Sequence, residues 1–326
     1  MARMARPPIV IEFWDVGQGD ATVIRPDRTR VFLIDVGPRN SPVVQWIADN
    51  SQLKVEGIVL THNDADHAGA ISAFIEAAKF PIQRVYFLVD ENPKNERFAA
   101  LFAHLDRAYR AGHVKEIIRL EAPQVVWVDP TGSVEICVRY PAVLANVAAR
   151  TPNQTAGVLT LDVSGKVRVI WASDAPLEQV AATCSGRDTE YMVGPHHGAP
   201  TDRRNPTAEQ WLADLGARTN VISVGSNNPH DHPQKSYLRK VAAVGTRIIC
   251  TQLTPLCDKA RRTGVVKAHA RYALPEPNTG IACRGPIRVM LMPSDDIIGD
   301  ELDAEHQQAI LQLQRPQCIR LQPRNR

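Results

Sequence analysis

The sequence lacks several features that mark particular classes of protein. No apolar run approaches the ~20 residues that a membrane-spanning helix needs, and no apolar segment of the signal-peptide type precedes Ile9. Six cysteines in 326 residues are too few for a disulfide scaffold. With 38 Lys and Arg against 35 Asp and Glu, the net charge of +3 creates no strong overall field. We therefore expect a cytoplasmic protein without a membrane partner, whose function depends on local groups of residues.

The order of the predicted elements indicates an α/β protein. A hydrophobic fraction of 44% is ordinary for a folded chain. Strand-like segments come first, a βαβα stretch follows, then antiparallel strands, then βαβα again. A helix is predicted over Ala68–Lys79 and a last strand over Ile281–Leu291. Two sheets covered by helices on both outer faces satisfy this order, so the predicted architecture is a four-layer αββα sandwich.

The segment Thr61–Gly69 holds the strongest chemical signal. It places two histidines, His62 and His67, and two aspartates, Asp64 and Asp66, between an apolar strand and a helix. Loops at the carboxyl ends of strands are where α/β sheets usually present ligands. Neutral imidazoles and carboxylates are standard ligands of divalent cations. The segment therefore predicts a metal site, against the simpler interpretation of a polar surface loop.

Six motifs in order resemble the metallo-β-lactamase superfamily, and within it the soluble domain of ComEC-type competence proteins. His62-x-Asp64-x-Asp66-His67 is similar to the superfamily signature His-x-His-x-Asp-His, with Asp in place of the second His. The other five segments are Asp15–Asp20 (Asp-Val-Gly-Gln-Gly-Asp), Leu33–Gly37, Trp171–Ala175, Gly194–Ala199, and Ser223–Gly225 with Asn228 and His232-Pro233. The resemblance covers roughly residues 9–240.

The resemblance implies a site for two divalent metal ions, zinc or manganese. His62 and Asp64 would hold the first ion, and Asp66 and His67 the second. Asp174 would bridge the two, and His196 would complete the second site. Two such cations lower the pKa of a shared water toward neutral pH and offset the charge of a phosphoryl oxygen.

Further roles follow from the same resemblance. The residues expected to take part in catalysis are Asp66, His197 and His232, where His197 is either a further ligand or the proton donor to the leaving group. Three aspartates are expected to support the metal loop and orient its histidines without binding the metal themselves. They are Asp15, Asp20 and Asp35. Ser173 replaces a glycine of the similar segment, and Ala199 replaces a serine. Neither change removes an expected ligand.

The implied activity is that of a phosphodiesterase or nuclease acting on a nucleic acid or nucleotide. The basic residues expected at the rim of the site are Arg203, Arg204 and Lys235, and phosphate contacts need such local clusters. Two alternatives stay open. One is a hydrolase of esters, lactones or β-lactams, which usually keeps the second histidine. The other is a regulatory module that retains metal without turnover and works with a protein partner in a larger complex.

The C-terminal part contains four cysteines that could bind a structural zinc ion. They are Cys250, Cys257, Cys283 and Cys318. Their spacing differs from that of common zinc folds, so buried free thiols are the alternative. We expect residues 9–251 to form the hydrolase core, 252–295 to supply the last strand and closing loops, and 296–326 to form a peripheral helix and tail.

Overall fold

The computed structural model describes residues 7–89, 96–141, 152–184, 189–200, 207–258, 280–299, 306, 308, 310–313 and 315–320. Its strands are, in chain order, β1 (Ile9–Phe13), β2 (Ala21–Arg25), β3 (Arg30–Val36), β4 (Lys54–Leu60), β5 (Ile82–Phe87), β6 (Val114–Arg119), β7 (Gln124–Val128), β8 (Val134–Tyr140), β9 (Val158–Val163), β10 (Lys166–Trp171), β11 (Thr189–Val193), β12 (Ala217–Ile222), β13 (Arg247–Cys250), β14 (Ile287–Leu291) and β15 (Ile297–Gly299).

The α-helices are α1 (Pro42–Asp49), α2 (Ala65–Ala68), α3 (Ile71–Ala77), α4 (Glu96–Arg110), α5 (Leu177–Cys184), α6 (Thr207–Leu215), α7 (Lys235–Ala243) and α8 (Gln317–Arg320). Short 3₁₀ turns span Pro152–Thr155 and Pro195–Gly198. In this described part of the chain, no helix has both the length and the apolar character that crossing a bilayer requires.

Two sheets contain all these strands. The first has eight strands in the order β15-β14-β1-β2-β3-β4-β5-β6, and the second has seven in the order β13-β12-β11-β10-β9-β8-β7. Strands β3 to β6 run parallel to one another, and so do β10 to β13. Because the carboxyl ends of parallel strands meet at one edge of a sheet, the loops after them can build a common site.

Alternation along the strands produces the four layers. On β3, Phe32 and Ile34 face the core between the sheets, whereas Leu33 packs with the helices α1, α3 and α4. On β10, Trp171 faces the core between the sheets, whereas Ile170 packs with the helices α5, α6 and α7. Since side chains of a strand point alternately to its two faces, each sheet is buried on both sides. The predicted αββα sandwich is confirmed.

The helix predicted over Ala68–Lys79 is wrong as a single element, because the chain breaks it into α2 and α3. The amide of Ala70 leaves the helical pattern and donates to the carbonyl oxygen of Gly37 at 3.1 Å. Gly69 lies so close to its neighbours that a Cβ there would be 2.1 Å from the carbonyl oxygen of Ala65. The break therefore anchors the short helix α2, which carries Asp66 and His67, against the loop after β3.

The C-terminal part differs from its prediction in two places. Only residues 287–291 of the strand predicted over Ile281–Leu291 form β14, since the amide of Cys283 bonds instead to Thr251 O at 3.0 Å. Residues 297–299, expected in a peripheral helix and tail, form the edge strand β15 beside β14. Much of the segment 296–326, expected to form this peripheral helix and tail, lies outside the described residues.

Core packing between the sheets predicts a stability difference that can be measured. Leu161 on β9 is fully buried between the sheets, whereas Leu311 is 69% exposed. We expect Leu161→Ala to lower the free energy of unfolding in urea by about 3 kcal/mol through lost burial and a cavity. The same change at Leu311 should alter it by less than about 0.5 kcal/mol. Equal effects of the two substitutions would contradict this packing.

Candidate metal centre

Loops from both sheets bring the polar residues of the sequence motifs to one place. The segment Thr61–Gly69 follows β4 of the first sheet. From the second sheet, Ser173-Asp174 follows β10, the turn Pro195–Gly198 follows β11 and Ser223 follows β12. Within each sheet the carboxyl ends of the parallel strands meet at one edge, and contacts such as that of His67 Nε2 with Asp174 Oδ1 at 3.2 Å join the loops of the two edges. Residues more than 100 positions apart in the chain therefore become direct neighbours.

Two buried histidines are held by partners at their Nδ1 atoms. His67 Nδ1 lies 2.9 Å from Asp35 Oδ2, and His197 Nδ1 lies 2.9 Å from the carbonyl oxygen of Ser223. Both partners only accept hydrogen bonds, so each Nδ1 carries the donated proton. The Nε2 atoms of His67 and His197 then present lone pairs to each other at 3.3 Å. Facing lone pairs need a cation or a proton between them.

A third buried histidine has the same arrangement. His62 Nδ1 lies 3.2 Å from Thr61 Oγ1 and 3.3 Å from Ser173 Oγ. Its Nε2 atom is buried and has no hydrogen-bond partner. Within the described residues, three imidazoles thus have Nδ1 engaged by a neighbour while Nε2 points to a common centre. Hydrogen bonding at one ring nitrogen is how proteins orient histidines whose other nitrogen binds a metal.

The Asp174 carboxylate occupies the centre of this group. Its Oδ1 lies 3.2 Å from His67 Nε2 and 3.5 Å from His197 Nε2, and its Oδ2 lies 3.6 Å from His62 Nε2. Asp174 is 3% exposed, and its Oδ1 has no hydrogen-bond partner. A buried carboxylate oxygen without a partner is costly unless a cation compensates it. The donor set therefore fits a divalent metal centre.

Three further carboxylates surround the imidazoles. Asp64 Oδ2 lies 3.7 Å from His62 Nε2, and Asp66 Oδ2 lies 3.4 Å from His197 Nε2. Asp20 Oδ1 lies 3.9 Å from His197 Nδ1. Among the described residues, two sets of three ligand atoms lie within 4.8 Å of one another. They are Asp20, His67 and His197, and His62, His67 and Asp174.

The carboxylates change how the histidines titrate. Burial lowers the pKa of His67, but Asp174 and Asp35 outweigh it and raise that pKa well above its usual value. Burial also lowers the pKa of His197, yet Asp174, Asp20 and Asp66 raise it to about 9. Without metal, protonation of these imidazoles therefore relieves the repulsion between the facing Nε2 lone pairs of His67 and His197. Metal ions would replace these protons, since ligands must be deprotonated to bind.

His196 lies at the mouth of the centre rather than inside it. Its side chain is 37% exposed and its Nε2 lies 3.5 Å from Asp174 Oδ2. His232 stacks edge-on against His196, with ring centroids 5.4 Å apart. Burial and the neighbouring imidazoles lower the pKa of His232 to about 4. Near pH 7 the imidazole of His232 is therefore neutral, and it packs against His196 at the opening of the site.

The three aspartates expected to support the metal loop lie in different environments. Asp35 accepts from His67 Nδ1 at 2.9 Å and from Thr61 N at 2.8 Å. Asp20 approaches His197 directly. Asp15 instead accepts from Gly17 N at 3.2 Å and from Gln252 Nε2 at 2.8 Å. Its described hydrogen bonds stabilise the glycine turn and do not orient a histidine.

The turn Asp15–Asp20 supports the metal loop through its backbone. Gly19 has φ of 132°, and a Cβ at this position would lie 2.1 Å from the carbonyl oxygen of Asp66. The next amide, Asp20 N, donates to that same oxygen at 3.2 Å. Only glycine permits this close approach. The motif therefore fixes the backbone of helix α2, which carries Asp66 and His67.

The expected substrate residues are only partly described. Arg203 and Arg204 lie outside the described residues. Lys235, at the start of α7, lines a cleft next to His232. Arg97 on α4 was not expected, and its Nη1 lies 3.8 Å from Asp64 Oδ1 with a side chain that is 73% exposed. Its contact with the loop after β4 depends on tertiary packing, which local sequence does not reveal.

The structure brings the four C-terminal cysteines into one region. Cys257, Cys283 and Cys318 are buried in the core under α5, α6 and α7, and Cys250 packs against that core. Cys283 Sγ lies 3.5 Å from His306 Nε2. Among the described residues, the sets of three ligand atoms within 4.8 Å of one another contain no cysteine. The structural zinc site stays a prediction.

Comparison with known proteins agrees with the motifs. A family model described as the metallo-beta-lactamase superfamily matches residues 14–167. Recombination protein 2 of Haemophilus influenzae is 24% identical over 248 residues, which cover 73% of this chain and 27% of that protein. ComE operon protein 3 of Bacillus subtilis is 22% identical over 270 residues, which cover 74% of this chain and 31% of that protein. The chain thus spans less than a third of the length of these two relatives.

Two solved structures of other proteins have a similar backbone. The metallo-beta-lactamase fold protein YhfI from Bacillus subtilis has a TM-score of 0.47 at 13% identity, over 75% of this chain and 96% of that one. The short form of human tRNase Z has a TM-score of 0.43 at 14% identity, over 67% of this chain and 92% of that one. For residues 14–167, the sequence match agrees with the resemblance that the motifs carry, which is to the metallo-β-lactamase superfamily.

Proposed function

We propose that the protein is a dinuclear metal-dependent hydrolase of phosphodiesters, with a nucleic acid as its substrate. One observation carries the proposal. Three buried imidazole Nε2 atoms, those of His62, His67 and His197, converge on Asp174, with Asp64 and Asp66 beside them. A donor set rich in both imidazoles and carboxylates suits zinc and manganese.

The geometry supports a division of ligands between two ions. His62 and Asp64 would hold the first, Asp66 and His67 would hold the second, and Asp174 would contribute to both. His197 rather than His196 would complete the second site. His197 is 1% exposed with Nε2 facing Asp66 and Asp174, whereas His196 is 37% exposed at the mouth. The expectation from sequence gave His196 as the ligand and left His197 as either a further ligand or a proton donor, whereas the proposal makes His197 the ligand.

The chain's own residues then perform distinct tasks. Two divalent cations would supply a hydroxide nucleophile near neutral pH and neutralise charge on the phosphoryl group. Asp35 and the carbonyl of Ser223 keep His67 and His197 in the tautomer whose Nε2 can bind a metal. His196, at the mouth, is placed to hydrogen-bond an oxygen of the substrate. Asn153 Nδ2, 3.3 Å from His196 Nε2, limits the rotation of that ring.

A phosphodiester substrate is supported by charge at the opening. Arg97 is largely exposed beside Asp64, and Lys235 lines the adjoining cleft. Both are placed to contact phosphates flanking the reacting one, as nucleic-acid binding requires. Asp64 stands where ester and lactone hydrolases of the superfamily usually carry a histidine. A relative named for recombination, at 24% identity, is consistent with a nucleic-acid substrate.

Turnover of two phosphodiesters tests this proposal. Wild-type protein loaded with Mn²⁺ or Zn²⁺ should hydrolyse bis-p-nitrophenyl phosphate and plasmid DNA, and removal of metal by a chelator should abolish both activities. Asp174→Asn should lower kcat/KM by about 1000-fold or more, because it removes the carboxylate shared by both ions. Asp214→Asn is the matched control, since this carboxylate accepts a surface hydrogen bond from Gln210 within α6.

Other outcomes of the same experiment favour the alternatives. Hydrolysis of p-nitrophenyl acetate or a lactone, with no turnover of either phosphodiester, would identify an ester or lactone hydrolase. Full metal content with no turnover of any of these substrates would identify a module that retains metal without catalysis. Either result would overturn the proposed function.

Metal content separates the two adjacent histidines. We expect His197→Ala to lose about one ion per chain under conditions in which the wild type holds two, because a buried ligand is removed. His196→Ala should keep both ions while kcat falls. Inductively coupled plasma mass spectrometry and steady-state kinetics on the same samples provide the two values. Loss of metal from His196→Ala alone would restore the assignment expected from sequence.

A further inference from the structure

Ser173 has a backbone conformation that most residues avoid. It ends the turn after β10 with φ of 49°, immediately before Asp174. A positive φ is unfavourable for residues with a Cβ and is readily adopted by glycine. Strain of this kind persists where the surrounding structure holds it in place, and it concentrates at functional sites. The side chain of Ser173 offers a reason why glycine is not used.

The Ser173 hydroxyl belongs to a chain of buried hydrogen bonds that ends on a histidine. Ser173 Oγ lies 2.6 Å from Thr61 Oγ1 and 3.3 Å from His62 Nδ1. Thr61 Oγ1 in turn lies 2.7 Å from Asp35 Oδ2. All four residues are buried, with Ser173 only 2% exposed. The same Asp35 oxygen also accepts from His67 Nδ1 at 2.9 Å.

The carboxylate sets the direction of every donor in this chain. Asp35 Oδ2 only accepts, so the Thr61 hydroxyl donates to it. Thr61 Oγ1 is then free to accept from the Ser173 hydroxyl, and Ser173 Oγ accepts from His62 Nδ1. His62 therefore carries its proton on Nδ1, and its Nε2 lone pair faces Asp174 at 3.6 Å from Oδ2. One carboxylate thus orients two histidines, His67 directly and His62 through two hydroxyls.

We propose that Ser173 is a positioning residue that selects the metal-binding tautomer of His62. Its hydroxyl would then explain why a serine, rather than a glycine, occupies this strained position. This inference rests on the proposed function, because it assigns His62 to the first metal ion. It assigns no contact with substrate to Ser173. The backbone of Ser173 contributes separately, since its carbonyl oxygen accepts from His196 N at 2.7 Å.

Two substitutions separate the hydroxyl from the strain. Ser173→Ala and Ser173→Gly both remove the hydroxyl, but only glycine relieves the positive φ. We expect metal-free Ser173→Gly to have a Tm about 2–4 °C above that of Ser173→Ala. Both variants should bind the first Zn²⁺ about 10- to 100-fold more weakly than the wild type in calorimetric titration, the range typical for partners of metal ligands.

A remote serine with the same conformation is the matched control. Ser164, in the hairpin between β9 and β10, has φ of 50°, and its hydroxyl bonds to Asp295 on the surface. Ser164→Gly relieves a similar strain and should leave the Zn²⁺ titration unchanged. Circular dichroism of each variant shows whether it folds.

Nitrogen NMR of the metal-free protein measures the tautomer of His62, which would not change if Ser173 only supported the fold. The long-range ¹H–¹⁵N spectrum of His62 should show the Nδ1-protonated form in the wild type and lose that preference in both Ser173 variants. Unchanged Zn²⁺ affinity and an unchanged His62 spectrum in both variants would overturn the proposal. A wild type that binds no metal but shows the tautomer shift in its variants would contradict the proposed function while leaving the role of Ser173 standing.

Discussion

The arrangement depends on one electrostatic constraint: three imidazole lone pairs and an unpartnered carboxylate oxygen, all on buried side chains, face one another. His67 Nε2 and His197 Nε2 approach within 3.3 Å, and Asp174 Oδ1 has no hydrogen-bond partner. Such a group is stable only with positive charge at its centre. Protons can supply that charge, as the raised pKa values of His67 and His197 indicate. Divalent cations supply it with the same ligands and add chemistry.

The rest of the fold can be understood as the frame that maintains this geometry. The first sheet contributes His62, Asp66 and His67, and the second contributes Asp174 and His197. Asp35 orients His67 in the first sheet, whereas Ser173 and Ser223 of the second sheet contact the Nδ1 atoms of His62 and His197, so the site forms only when both sheets are packed together. The close contact between Gly19 and the Asp66 carbonyl ties helix α2 to the turn after β1. Metal binding is therefore expected to stabilise the packing of the two sheets.

The sequence predicts local features well and long-range ones poorly. The layers follow from alternating burial, and the segment from His62 to His67 is a dense enough pattern to identify the site. The motif favours His196 as the ligand of the second ion, but it does not show which histidine is buried, because both have left-handed backbones, with φ of 48° and 52°, which change where each side chain points. Ser173 meets His62 across 111 positions, and no local pattern reports such a contact. The C-terminal strand β15 is short and weakly patterned, so it was missed.

X-ray absorption at the metal edge is the most direct test of the central claim. The protein loaded with two equivalents of Zn²⁺ should show nitrogen and oxygen neighbours, with imidazole scattering, and a second metal atom within about 4 Å. This result would place both ions among the histidines and aspartates around Asp174. A shell of sulfur neighbours at about 2.3 Å, without a second metal atom, would place the metal on the C-terminal cysteines and contradict the account.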